Sequence, residues 1–340
     1  MRLKKLNTLT PKVMLAEKGL TIKMGLDELL EQFWAGDRRA CGQLISMVEN
    51  DNQMANEILN KVYNRIGRAY RIGVTGPPGA GKSTLVEKIA LRFRQDNLTV
   101  GIVAVDPSSP FSGGAILGDR VRMAELFLDP GVFIRSMATR GSLGGLASKT
   151  KEVCDLLDAF GQQIIITETI GVGQVELDVA EASFTTIVVL VPESGDSIQT
   201  LKAGLMEIGD IFVVNKSDRE GSDRLALEIE MVLEMRNKSN QWHPPVIKTI
   251  ATENTGIEEL YSSIVEHRNF LKTSNLLNER KAKNIRHEII ELVETRIKKR
   301  MWQLEKVQKR LEELVTEVMR GNTTPFLAAD AILKEWQDFK

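Results

Sequence analysis

The sequence predicts an α/β fold: a mostly parallel sheet with helices on both faces, plus N- and C-terminal helical extensions. Three observations carry this. Short apolar runs alternate with helical patterns from about residue 68 to 270, one of those runs opens into a Gly-rich turn followed by a helix, and stretches of helical periodicity flank the alternation. A chain of 340 residues can hold one large α/β domain with helical extensions, because single cores stop growing at about 250 to 300 residues. The expected parts are an N-terminal helical arm over 1–67, an α/β domain over 68–270 and a C-terminal helical arm over 271–340.

In chain order, Met1 to Thr21 carries five Lys or Arg against Glu17. Its apolar content is broken up, so it reads as a basic arm rather than a targeting peptide. The expected strands are Arg71 to Thr75, Val100 to Asp106, Gly131 to Ser136, Gln163 to Thr167, Thr185 to Val191, Ile211 to Asn215 and Val246 to Ile250. A helix is expected over 82–94. From Ile285 onward, Ile289, Leu292, Val293, Ile297, Met301, Leu304, Val307, Leu311, Leu314 and Val318 recur at threes and fours, which predicts one long amphipathic helix. Its charged face is well mixed, which argues against a membrane surface; the apolar stripe either packs onto the chain's own core or serves as a dimer arm, and the dimer arm is the favoured reading.

Between the first strand and helix 82–94 lies Thr75-Gly76-Pro77-Pro78-Gly79-Ala80-Gly81-Lys82-Ser83-Thr84, a G-x-x-x-x-G-K-S match in strand-then-helix context. This predicts a P-loop NTPase. Successive backbone N–H groups must curl around a β-phosphate, which requires positive φ and no Cβ at the contacts. Gly76 and Gly81 bracket that cradle, and Pro77, Pro78, Gly79 and Ala80 complete it. Lys82 supplies a cation to the β- and γ-oxygens, the Ser83 hydroxyl can ligate Mg²⁺, and Thr84 supports the loop from the next position.

Which base is bound is decided at Asn215-Lys216-Ser217-Asp218, behind the apolar run Ile211 to Val214. The N-K-x-D form places a carboxylate at Asp218 that can accept both N1–H and the exocyclic amine of guanine. Adenine presents a lone pair at N1 and is repelled. The expected ligands are therefore GTP and GDP.

Two more carboxylates close strands, Asp106 after Val100 to Val105 and Glu168 after Ile164 to Thr167. Ligands of open α/β sheets sit outside the carboxyl ends of the strands, so both acids should face the P-loop crevice. Mg²⁺ takes hard oxygens, a few carboxylates and several waters. The candidate metal set is Ser83 and Asp106, with Glu168 as a ligand or water-orienting acid and Asp119 if its loop folds inward. The stretches 106–120 and 137–147 lack either period and are Gly-rich, as segments that order around a nucleotide or partner are. Glu168-Thr169-Ile170-Gly171 has the E-x-x-G form of a γ-phosphate switch, with the Gly171 N–H at the γ-phosphate.

The combination of GPPGAGKST, VDPSSPFSGGAILGDR, TRGSLGGLA, ETIGVGQVE and VVNKSD resembles the MeaB/MMAA (ArgK-type) family of SIMIBI-class P-loop GTPases. Leu29 to Asn50 resembles that family's N-terminal helical arm, and Thr323 to Ala329 its C-terminal arm. The similarity spans roughly residues 25 to 335. It implies GTP hydrolysis, and a chaperone of an adenosylcobalamin-dependent acyl-CoA mutase, most often methylmalonyl-CoA mutase, that gates cofactor loading, protection or reactivation. It also implies a homodimer formed by the C-terminal arm, and a mobile coupling segment over 192–204 containing Asp196 and Lys202. Arg140 and Lys202 are candidates to compensate charge in the transition state once a partner orders their loops, beside Lys82 and Glu168. The fifth GTPase motif departs from the family pattern as Thr249-Ile250-Ala251-Thr252, so only Ala251 carries over as a guanine-supporting residue. The rival readings are a kinase passing the γ-phosphate to a protein or amino acid, and a metal-insertion GTPase of the same class.

Composition bounds the alternatives. With 45 basic and 46 acidic residues the net charge is −1, which argues against nucleic acid as the main partner. No apolar stretch approaches the roughly 20 residues needed to cross a bilayer. Cys41 and Cys154 lie far apart in helical patterns and read as reduced, buried thiols, and the three histidines are scattered, unlike a metal-storage tract. The expected location is the cytoplasm, or the mitochondrial matrix in a eukaryote.

Overall fold

The computed structural model describes residues 25–50, 52–106, 123–138, 143–169, 179, 182–192, 204–236 and 242–338. Seven strands form one sheet: β1 (Tyr70–Thr75), β2 (Val100–Asp106), β3 (Val132–Ala138), β4 (Ile164–Glu168), β5 (Thr185–Leu190), β6 (Ile211–Asn215) and β7 (Val246–Thr249). Their order is β3-β2-β4-β1-β5-β6-β7, and every neighbouring pair is parallel. Each predicted strand is present to within two residues at either end. β1 is the strand from which the order runs both ways, and ligands of open α/β sheets bind at such a switch point.

Both faces are covered, which is why the strands read as nearly unbroken apolar runs. On one face Tyr70, Ile72 and Val74 of β1, with Ile164, Ile166, Ile187 and Val213, pack against α4 (Lys82–Gln95) through Leu85, Ile89 and Phe93. The same cluster takes Leu260, Ile264 and Leu271 of a later helix, Ile257–Thr273. On the other face, α5 (Leu143–Phe160) and the N-terminal helices α1 (Leu26–Trp34), α2 (Arg38–Asn50) and α3 (Asn52–Val62) share a core with β2 and β4 through Phe33, Leu44, Ile58, Val103, Leu157 and Ile165. Next to them α6 (Ser222–Arg236) covers β5 and β6 through Leu225, Ile229 and Leu233. Cys41 and Cys154 are buried free thiols, as expected.

Polar pins hold the N-terminal helices to the sheet. Asp158 of α5 accepts the backbone N–H groups of Gly67, Arg68 and Ala69 at 2.7 to 3.1 Å. Beside it the Arg71 guanidinium meets Asp155 at 2.5 Å. Burial pushes the Asp155 carboxyl above the usual carboxylate range, and the Arg71 charge opposes that. Removing one partner of such a buried pair strands the other charge, which is far costlier than losing a surface bridge.

At the same amino end of the strands, α7 (Ile257–Thr273) and α8 (Leu276–Trp302) are tied to β5 and β6 by a second network. Asp210, just before β6, accepts both arms of Arg280 at 2.9 and 3.0 Å and the Thr186 N–H at 2.9 Å. His267, fully buried, bonds Thr185 Oγ1 through Nδ1 at 2.9 Å. Burial pushes its imidazole down to about 4; the Asp210 carboxylate opposes this and the Arg280 charge adds to it. An unfolded histidine titrates near 6.5, so on acidification the unfolded chain takes the proton first. Stability from this group is therefore intact above about pH 6.5 and falls by roughly 3 kcal/mol as pH drops toward 4. Urea unfolding at pH 7 and 4.5 should show His267→Gln losing less stability on acidification than the wild type. Equal losses would contradict this assignment.

The C-terminal expectation needs correction. One long helix was expected from Ile285 to Val318, whereas the chain makes α8 from Leu276 to Trp302 and then α9 (Glu305–Met319). Leu304 is extended between them, and Gln308 of α9 donates from Nε2 to the Trp302 carbonyl at 2.8 Å, satisfying one end of α8. The turn lets Met301 and Trp302 fold back onto a cluster built by Val307, Leu314, Ala328 and Ile332 of α9 and α10 (Pro325–Asp338). Burial of these side chains outweighs continuation of the helix. No glycine or proline marks the break, so the apolar stripe alone reads as continuous.

Candidate functional site

β1 delivers the phosphate loop. After Thr75 the backbone turns through Gly76, Gly79 and Gly81 with φ of 137°, 77° and 85°, the left-handed values that side chains disfavour. Gly76 is also closely packed: a Cβ there would stand 2.0 Å from the Val189 carbonyl oxygen. Gly76→Ala should therefore force the loop off β5 and abolish nucleotide binding, and a variant with wild-type GDP affinity would contradict that packing. Gly81 is the residue before α4, so the free N–H groups of the first turn point into the loop.

Lys82 is 5% exposed, and its Nζ donates to the carbonyls of Gly76 and Pro77 at 2.8 and 2.9 Å. The ammonium is thus held across the mouth of the loop. Ser83, half-buried, donates from Oγ to Glu168 Oε1 at 2.6 Å, which brings two hard oxygens together beside the loop. Glu168 pairs in register with Val74 of β1 and Ala104 of β2, so β2 carries the backbone of Asp106 two residues further along the same edge. The Asp106 side chain lies outside what is described. Pro77 is half-buried and Pro78 exposed at the loop surface, Ala80 is buried beneath it and Thr84 is half-buried on the first turn of α4.

Asn215 joins the loop to the base end. Its Nδ2 donates to the Ala80 carbonyl at 2.8 Å, while Oδ1 accepts from Thr249 Oγ1 at 3.0 Å and the Ala251 N–H at 3.2 Å. Both ends of the amide are taken by the protein, so Asn215 and Ala251 serve as struts. Lys216 follows with φ of 56°, and the turn is stitched by Ser217 N–H to Thr249 O at 3.0 Å and Ser222 Oγ to Ser217 O at 3.0 Å. Asp218 is exposed on that turn, open to a ligand. Asp119, Arg140, Gly171, Asp196 and Lys202 lie outside the described residues.

The donor set suits Mg²⁺: a serine hydroxyl and a carboxylate 2.6 Å apart next to a phosphate loop leave room for phosphate oxygens and water. Among the described residues no three His, Cys, Asp or Glu cluster as a metal-binding group. Sequence reasoning missed the contact of Thr169 with Thr75, Oγ1 to Oγ1 at 3.0 Å. Thr75 stands one residue before the G-x-x-x-x-G-K-S match and Thr169 is the first variable position of E-x-x-G, and neither pattern specifies a hydroxyl there.

Residues 41–306 match the family model described as "Methylmalonyl Co-A mutase-associated GTPase MeaB". The chain belongs to the MeaB family. A Pyrococcus abyssi protein named as a GTPase is 50% identical to this MeaB-family chain over 315 residues, 91% of this chain and 96% of its own length. GTPase ArgK of Escherichia coli is 35% identical over 262 residues, 75% and 79% of the two chains. The Mus musculus protein "Methylmalonic aciduria type A homolog, mitochondrial" is 30% identical over 330 residues, 92% and 80% of the two. A solved structure of a LAO/AO transport system kinase superposes with a TM-score of 0.71 at 24% identity, covering 94% of this chain and all of that one, a likeness of fold. This MeaB-family chain is a GTPase that binds guanine nucleotide on a P-loop α/β sheet. Among the described residues, no helix is long and apolar enough to cross a membrane.

Proposed function

We propose that this GTPase is a chaperone of an adenosylcobalamin-dependent acyl-CoA mutase, methylmalonyl-CoA mutase or a relative, and gates cofactor loading, protection or reactivation of that enzyme. The observation that carries the reading is the match of residues 41–306 to a family described by its association with methylmalonyl-CoA mutase. The name of the mouse relative points the same way.

In this reading the loop N–H groups from Gly76 to Gly81 and Lys82 hold the β- and γ-phosphates, and Asp218 reads guanine while Asn215, Lys216 and Ala251 shape its seat. Ser83 and Asp106 would hold Mg²⁺, with Glu168 and Asp119 as further oxygens. The ion neutralises phosphate charge when bound. Phosphoryl transfer to water needs little covalent chemistry, so the chain's task is positioning and charge compensation. Lys82 would compensate charge on the β- and γ-oxygens, Glu168 would orient Ser83 or a water, the Gly171 N–H would meet the γ-phosphate, and Arg140 and Lys202 would add charge once a partner is bound.

The division into 1–67, 68–270 and 271–340 belongs to the same proposal, with the last part as a homodimerisation arm. Supporting that, none of the 27 residues of α8 is buried, and Ile285, Ile289, Ile290, Val293 and Ile297 stand exposed along it. Beyond it an apolar groove of about 450 Å³ opens among Trp302, Leu311, Leu314, Val318, Ala328 and Ile332. A cytoplasmic location, or the mitochondrial matrix in a eukaryote, fits such a client, and neither nucleic acid nor membrane is an expected partner. Sedimentation tests both claims. The protein alone should run as two chains, and with the mutase it should co-sediment in a nucleotide-dependent way. A monomer would overturn the dimer; no association in any nucleotide state would overturn the client.

A further inference from the structure

Thr75 and Thr169 are 0% and 1% exposed, and their hydroxyls meet at 3.0 Å between two functional segments. Thr75 is the last residue before Gly76. Thr169 is the first after Glu168, and its own N–H already bonds the Val74 carbonyl at 3.1 Å, extending the β1–β4 ladder by one rung. The backbone there is satisfied without the side chains. A valine of the same shape would fill either position with no polar group to desolvate, and a buried hydroxyl costs free energy unless it is bonded. The hydroxyl pair therefore needs a reason beyond packing.

Its placement supplies one. On the outer side of β1 the Thr75 end of the strand pairs with Val188 of β5, and the next residue, Gly76, sits hard against the Val189 carbonyl. That side of the phosphate loop is fixed by steric contact. On the β4 side the side-chain bonds from Thr169 to Thr75, the last residue of β1, and from Ser83 to Glu168 at 2.6 Å run between the phosphate-loop region and the end of β4. A metal ion on Ser83 would take a lone pair of its oxygen and leave the O–H on Glu168, so the bond sets where the hydroxyl points and depends on where Glu168 stands. The hydroxyl pair adds a side-chain link, beside the Thr169–Val74 backbone rung, between the end of β1 that enters the loop and the residue that follows Glu168.

We infer that Thr169 and Thr75 are positioning residues of the GTPase reaction, acting through Glu168 on the oxygens that face the nucleotide. This rests on the proposal that Ser83 and Glu168 face the metal. A displacement of about 1 Å in such a group is enough to cost orders of magnitude in rate.

The test uses the full chain with Thr169→Val, Thr169→Ser, Thr75→Val and the double valine variant. Two readouts are taken: kcat and KM for GTP hydrolysis, and the Mg²⁺ concentration that half-maximally slows release of a fluorescent GDP analogue. Thr169→Val should lower kcat about tenfold with KM within about twofold. It should also raise the Mg²⁺ half-point several-fold while leaving release without Mg²⁺ unchanged. Thr169→Ser should restore both, and the double variant should be no worse than either single one, as for two groups in one bond. Wild-type kcat in Thr169→Val, equal damage in Thr169→Ser, or faster release without Mg²⁺ by the same factor would each overturn the inference. If Mg²⁺ has no effect on release from the wild type, the metal assignment fails instead, and the kcat comparison still decides the role of the pair.

Discussion

Replacing Asp218 with alanine is expected to reduce the preference for GDP over ADP by about 10³-fold or more. The argument is one of preorganisation. The carboxylate stands exposed on a turn whose backbone is fixed by Lys216 at positive φ, by the Ser217 N–H on Thr249 and by the Ser222 hydroxyl on Ser217. It loses little freedom on meeting the guanine edge. Adenine offers it a lone pair at N1, so rejection is built into the same atoms. Because the turn does not rely on the Asp218 side chain for its own bonds, the variant should fold and keep its phosphate contacts. Competition of GDP and ADP against labelled GDP checks this. A ratio unchanged from the wild type would show that guanine is read elsewhere.

Lys82→Ala should lower GTP turnover by about 10² to 10³-fold, the range for removing one preorganised stabiliser of transition-state charge. Two carbonyls hold the ammonium in place, so its orientation cost is already met in the ligand-free protein. Truncation removes the cation and leaves the Gly76 and Pro77 oxygens facing the phosphate site, which adds repulsion to the loss. Single-turnover hydrolysis at saturating GTP separates the chemical step from weakened binding. A variant with wild-type single-turnover rate would place the charge compensation on another residue.

Much of this was legible in the sequence because the signals are local. Most strands are short apolar runs buried on both faces, and β1, β2, β4 and β6 lead into Gly76, Asp106, Glu168 and Asn215, so runs such as Ile211 to Asn215 announce both element and function. Gly76, Gly81 and Lys82 are likewise fixed by spacing, since loop curvature leaves no room for side chains. What depended on contacts between distant segments was not legible. Arg280 reaches Asp210 from 70 residues away, and Asn215 turns out to brace Ala80 and Ala251. The Thr75 and Thr169 hydroxyls carry no periodic mark. The break at Gln303 and Leu304 was missed because it is driven by packing of Trp302 and Met301 against α9 and α10, and no helix breaker marks it. Asp119, Arg140, Gly171 and Lys202 stay proposals from sequence, outside the described residues.

The central claim is a partner-gated GTPase, and its most direct test is GTP turnover by the purified protein with and without an adenosylcobalamin-dependent methylmalonyl-CoA mutase, with ATP as the base control. The account predicts slow hydrolysis alone, a rise of at least about tenfold when the mutase is added, and no comparable turnover of ATP. Turnover indifferent to the mutase, or γ-phosphate recovered on protein or amino acid rather than as free phosphate, would contradict it.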